Sequence, residues 1–179
     1  MEKISKVGKN FETVFEETLT ENNLTQEEVI YKTTEIKKGL FKSANVEVTI
    51  YKKSDIYDFV KEFLKEIVNN LGLEVTFETK KVEDRVVIKM YSNNNNILIG
   101  HNGNTIKALE NLVRQKIQLE TGMFFIISLD VENYKDKKIS RLERLAKQTA
   151  REVKRTHIDV HLENMNSYER RIIHNALSE

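Results

Sequence analysis

Two groups of residues in this 179-residue chain have types and spacings suited to gripping a phosphate-bearing strand. The first is Gly100-His101-Asn102-Gly103, set between the apolar run Ile97-Leu98-Ile99 and a strongly periodic stretch that begins near Asn104. Glycine has no Cβ, so such a loop bends sharply and lets a sugar-phosphate backbone approach the main chain. The helix expected after it presents N–H groups and the positive end of its dipole to an anion. The second group is Arg170-x-x-x-His174. Four residues apart on a helix, the two side chains share one face. Arginine offers a planar fork for phosphate. Imidazole donates to phosphate or stacks on a base. Together the groups suggest a binder of single-stranded RNA or DNA.

The charge distribution supports that chemistry at one end only. Net charge is +1. Residues 1–53 hold 9 basic and 9 acidic side chains, residues 54–132 hold 9 and 12, and residues 133–179 hold 11 and 7. Local potential, not the total, steers a polyanion. The C-terminal third is therefore the basic end. Within it Lys137, Arg141, Arg144, Arg151 and Arg155 recur at steps of three, four or seven along a long helix expected over residues 136–155. An ordinary solvated face has the same look, so the spacing alone does not decide its use.

The elements that must position these residues fall into three blocks: 1–53, 54–132 and 133–179. The first reads as strand, helix, strand, strand. Phe11, Val14, Phe15, Thr18 and Leu19 follow helical spacing. Thr25 and Glu28 make a capping-box pattern. Residues 29–36 and 46–51 read as strands, with Lys38-Gly39 as the turn between them. In the second block Ser54 is placed to cap a helix whose stripe runs from Ile56 to Leu71, and Gly72 to stop it. A hairpin follows, its turn expected at 80–84, then a short helix, the glycine loop, and a helix burying Ile106, Leu109, Leu112, Val113, Ile117 and Leu119. A strand is expected over 123–131. The third block reads as a basic helix, a short strand at 158–162 and a final helix carrying Arg170 and His174. The fold class expected is α+β, built as βαββ, αββααβ and αβα.

The order helix, strand, strand, short helix, Gly-x-x-Gly, helix, strand over 54–132 resembles a type II KH domain. That resemblance implies a loop clamping the backbone of about four nucleotides. Carried over, Gly100, His101, Asn102 and Gly103 touch the strand, and Ile97, Ile99, Ile106 and Leu109 form the groove floor or the core just beneath it. KH loops often carry Lys or Arg between the glycines, whereas His101-Asn102 has no fixed charge. Lys107, one turn into the helix, is the nearest candidate cation, and the loop is expected to bind weakly by itself. Replacing both glycines by Asp is expected to lower RNA affinity with the fold intact.

Residues 165–171, with Arg170, His174 and the preceding basic helix, resemble an Arg-x-x-x-His (R-three-H) single-strand-binding domain. On the basic helix itself Arg141, Arg144 and Arg151 are candidate phosphate contacts, with a solvated charged face as the alternative, and Arg171 beside the motif joins them as a candidate. In that family more strands normally follow the motif helix, so the third module is expected to be incomplete. The first block, by its element order and its Lys37-Lys38-Gly39 turn, is similar to the Jag N-terminal domain. In order, the three modules resemble the bacterial Jag (SpoIIIJ-associated, KhpB-type) family along the whole chain. The resemblance implies a cytoplasmic regulator that binds single-stranded RNA and is linked to cell elongation and division. It also implies a small KH-only partner protein, a functional link to the membrane insertase SpoIIIJ and, as one candidate state, a homo-oligomer.

No enzyme signature accompanies these motifs. There is no Cys, which excludes disulfides and thiolate metal sites and fits a reducing compartment. No phosphate-binding Gly-x-x-x-x-Gly-Lys run occurs. His157 and His161 lack the further ligands a metal site needs, so neither a metal nor a cofactor is expected. The competing reading is a protein-interaction scaffold, with the KH-like block as a dimerisation surface and the first block recruiting partners.

Overall fold

The computed structural model describes residues 1–36, 45–82 and 85–178. The expected turn at Lys37, Lys38 and Gly39 lies outside the described residues, as do positions 83 and 84 of the hairpin turn. The chain divides into two compact units, Met1–Leu129 and Asp130–Glu179.

The first unit opens with β1 (Ile4–Gly8), α1 (Phe11–Glu21), a single 3-10 turn at Gln26–Glu28, β2 (Val29–Ile36) and β3 (Asn45–Lys52). Both β1 and β2 pair antiparallel with β3, in the order β1-β3-β2. Val48 and Ile50 are fully enclosed on the face that α1 covers with Val14 and Phe15. Asn10, not singled out in the sequence, caps α1, its Oδ1 accepting from Glu12 N–H at 3.0 Å. The capping box is present: Glu28 accepts from Thr25 N–H at 2.9 Å.

β3 runs directly into α2 (Lys53–Asn70). Extended backbone persists to Lys52, so the helix starts one residue before Ser54, which lies inside the first turn and does not cap it. The turns of α2 bury Ile56, Val60, Leu64 and Val68 at strict four-residue spacing. β4 (Val75–Val82) and β5 (Arg85–Ser92) form an antiparallel hairpin, and β6 (Ile127–Val131) completes a sheet in the order β4-β5-β6. The strand β4 thus takes in Lys80 and Lys81, which the sequence placed in the turn. Residues 123–126 are not strand; Phe124 and Ile126 stand 76% and 70% exposed.

Between β5 and β6 lie α3 (Asn95–Ile99), a one-turn 3-10 segment at His101–Gly103 and α4 (Asn104–Thr121). α4 buries Ile106, Leu109, Val113 and Ile117. Leu112 and Leu119, counted in the sequence as core, are 44% and 82% exposed. At 100° per residue both fall well outside the arc of the buried four. From α4, Glu110 Oε1 accepts from the β6 Leu129 N–H at 2.8 Å and from Ser128 Oγ at 3.2 Å.

The first sheet is tied to α4 by Lys32 on β2, whose Nζ donates to the Thr121 carbonyl at 2.7 Å. That carbonyl sits at the negative end of the helix dipole, where a cation is favoured. Lys32→Met is expected to lower stability by about 1 kcal/mol, read as a drop in the urea midpoint with unchanged slope.

The second unit is a helical pair: α5 (Tyr134–Thr156) and α6 (Ser167–Ser178). Residues 157–166 between them carry no strand. The alternation Ile158, Val160, Leu162 has the strand period, but a strand exists only when its N–H and C=O groups find a ladder. No partner strand for this segment occurs among the described residues, and Ile158 is 66% exposed.

Candidate nucleic-acid interface

The glycine loop is built by steric necessity at its first residue. Gly100 has φ +70° and ψ 177°, a region essentially restricted to glycine. A Cβ there would lie 2.1 Å from Thr105 Oγ1 and 2.9 Å from Thr105 N. The expectation that Asp at Gly100 leaves the fold intact is therefore overturned. Asn102 and Gly103 also have positive φ, 54° and 84°. His101, Asn102 and Lys107 are exposed, while Gly103 is buried. Ile97 is exposed, Ile99 half-buried, and Ile106 and Leu109 belong to the core. Part of the loop's donor capacity is spent internally: Gly103 N–H bonds to the Gly100 carbonyl at 3.2 Å, and Asn104 N–H to that of His101.

In the second unit α6 starts on a cap absent from the sequence reading. Asn166 Oδ1 accepts from the N–H groups of Tyr168 and Glu169, both at 3.0 Å, and Glu169 Oε2 accepts back from Asn166 N–H at 2.9 Å. The other Glu169 oxygen pairs with Lys138 of α5, both side chains largely shielded from solvent. This cap sets the first turn of α6, from which Arg170 projects, its Nη2 donating to Ser167 Oγ at 3.3 Å. One turn on, Ser178 Oγ donates to the His174 carbonyl at 2.9 Å and lies 3.5 Å from His174 Nδ1.

Arg170 and His174 share one wall of a cleft of about 420 Å³. Leu162, Met165, Ile173 and Leu177 supply its apolar lining, and Glu163 and Asn164 its remaining polar groups. A guanidinium and an imidazole beside an apolar floor suit a base and its phosphate together. Arg171 is exposed outside this lining.

Along α5 the side chains of Lys137, Arg141, Arg144, Arg151 and Arg155 are all exposed. At 3.6 residues per turn they keep within an arc of about 80° and span about 27 Å of helix. Leu142 and Ala146 are buried on the opposite side. Lys137 has Glu132 at 3.7 Å. The four arginines pair with no carboxylate among the described residues.

An R-three-H domain model matches residues 140–179, which contain Arg170, His174 and most of the arginine stripe. RNA-binding protein KhpB of Clostridium symbiosum is 31% identical over 182 residues, covering 99% of this chain and 82% of that protein. The chain belongs to the KhpB family. KhpB of Bacillus subtilis (strain 168) is 28% identical over 184 residues, 99% of this chain and 88% of its own length. A third KhpB, from Lactiplantibacillus plantarum, is 31% identical over 117 residues, 65% of this chain and 36% of its own. The α+β architecture is that expected of this KhpB-family chain. No helix among the described residues is long and apolar enough to cross a membrane.

Three substitutions test how the site is built. Gly100→Ala is expected to cost about 2 kcal/mol or more, from the strained backbone and the Thr105 clash, measured by urea unfolding. Thr105→Ala placed on top recovers only part of the loss, because the dihedral strain stays. Glu169→Ala removes the reciprocal half of the α6 cap and the ion pair to Lys138, and is expected to cost about 2 kcal/mol. Amide exchange along α6 should rise with it.

Proposed function

We propose that this chain is a non-enzymatic binder of single-stranded RNA whose principal grip is the second unit. The observation that carries the reading is the placement of Arg170 and His174 on one wall of an apolar-floored cleft. The arginine stripe of α5 adds sequence-independent phosphate contacts. The loop Gly100-His101-Asn102-Gly103, with Lys107, is a second and weaker station, since it has no fixed charge between its glycines. Two weak stations on one chain gain affinity through effective concentration when one strand spans both. The names of the relatives, each an RNA-binding protein, support the choice of ligand. The role in cell elongation and division, the KH-only partner and the link to SpoIIIJ rest on family resemblance and form the outer part of this proposal.

A second reading, a scaffold using the KH-like block as a contact surface, draws on the exposed Leu119, Phe124 and Ile126. Salt dependence separates the two. Phosphate contacts make log affinity fall with log salt at a slope of about −0.7 per contact for single strands.

Arg170→Ala with His174→Ala is expected to weaken binding of an unstructured RNA about tenfold or more with the thermal midpoint unchanged. Arg144→Ala with Arg151→Ala should flatten the salt slope by about 1.4 and weaken all sequences alike. Identical isotherms for wild type and both double variants, or a flat salt response, would defeat the RNA reading.

A further inference from the structure

Away from both stations, a recess of about 350 Å³ opens in the first unit where β3 passes into α2. One wall is aromatic: the rings of Tyr57 and Phe125 lie 6.1 Å apart with 29° between their planes. Three lysines line it, Lys52 ending β3, Lys53 opening α2 and Lys81 on β4. Lys53 is committed, its Nζ donating to the Glu27 carbonyl at 2.6 Å. Lys52 and Lys81 pair with no carboxylate among the described residues.

Two acids share the rim. Glu28 is turned into its cap, accepting from the Thr25 N–H and hydroxyl at 2.9 and 2.8 Å. Glu27 is exposed to solvent. Burial pushes the Tyr57 phenol above its ordinary value, so it stays neutral, and its O–H has no partner among the described residues. Lys52 and Lys81 therefore remain as cations without a carboxylate partner among the described residues, in a recess lined also by two aromatic rings and one spare hydroxyl donor.

A bare anion has no use for the aromatic wall, and an apolar segment has no use for the lysines. A planar ring carrying a phosphate uses both, and the volume is that of a small-ligand site. We infer that the recess binds one nucleoside monophosphate unit, its base against Tyr57 and Phe125 and its phosphate between Lys52 and Lys81. The site is independent of Arg170 and His174 and does not rest on the grip proposed for the second unit. Free nucleotide and the phosphorylated end of an RNA strand share this chemistry.

The test is a titration of the ¹⁵N-labelled full chain with adenosine monophosphate, followed at the amides of Ser54, Tyr57, Lys81 and Phe125. These amides should move together with one dissociation constant. Lys81→Glu and Phe125→Leu should each weaken it about tenfold, while Arg170→Ala with His174→Ala leaves it unchanged. Adenosine should bind more weakly than the monophosphate and be indifferent to Lys81→Glu. A 5′-phosphorylated tetranucleotide that binds more tightly than the monophosphate identifies the strand end as the ligand; one that binds no better identifies the free nucleotide. No movement of these amides overturns the inference. So do undiminished affinity in both the Lys81 and Phe125 variants, binding of inorganic phosphate as tight as that of the nucleotide, and response to an acidic aromatic peptide alone.

Discussion

Glu169 meets two demands with one carboxylate. It closes the Asn166 cap at the start of α6 and pairs with Lys138 on α5. The second unit needs such a fastening because its apolar core is thin. On the two helices only Leu142, Ala146 and Ala176 are buried hydrophobics. With so little area to bury, packing alone fixes helix orientation loosely. A shielded, geometrically demanding ion pair adds specificity where hydrophobic contact cannot. The directions of Arg170 and His174 follow from it, since both project from the helix that Glu169 sets in place.

The first unit solves its positioning problem by sterics. At Gly100 the backbone adopts a conformation open to glycine, and Thr105 fills the space a Cβ would take. The turn from α3 into α4 is therefore tight and specific. It is also partly self-satisfied, because Gly103 and Asn104 donate within it. A loop that uses its own donors and carries no fixed charge presents shape more than potential. The basic stripe of α5 has the opposite character: strong potential on a plain helical surface. The two surfaces differ in kind: one is a tightly shaped turn without fixed charge, the other a plain helical face rich in charge.

Much of this was legible in the residues. The glycine pair, the four-residue step from Arg170 to His174 and the stripes of α2 and α4 are local patterns, and local patterns survive into structure. What escaped was decided by partners or by exact boundaries. The alternation at Ile158, Val160 and Leu162 predicted a strand, but strand formation requires a ladder that this segment does not find. Ser54 has a capping side chain, but the helix begins at Lys53, directly after β3, so Lys52 holds the cap position and Ser54 falls inside the first turn. The Asn166–Glu169 box was visible in sequence and went unread. Its pairing with Lys138 could not be read, since nothing in the spacing joins residues 31 positions apart. The Tyr57–Phe125 pair is more remote still in sequence.

The Glu110 carboxylate has a consequence for the sheet as a whole. β6 is an outer strand in the order β4-β5-β6, and such strands can template addition of foreign chain. The Leu129 N–H is already held by Glu110, so a strand arriving there must first evict a carboxylate. The helix that starts at the glycine loop thus also guards the sheet against uncontrolled growth. One side chain thus ties α4 to β6 and occupies a main-chain donor of an outer strand.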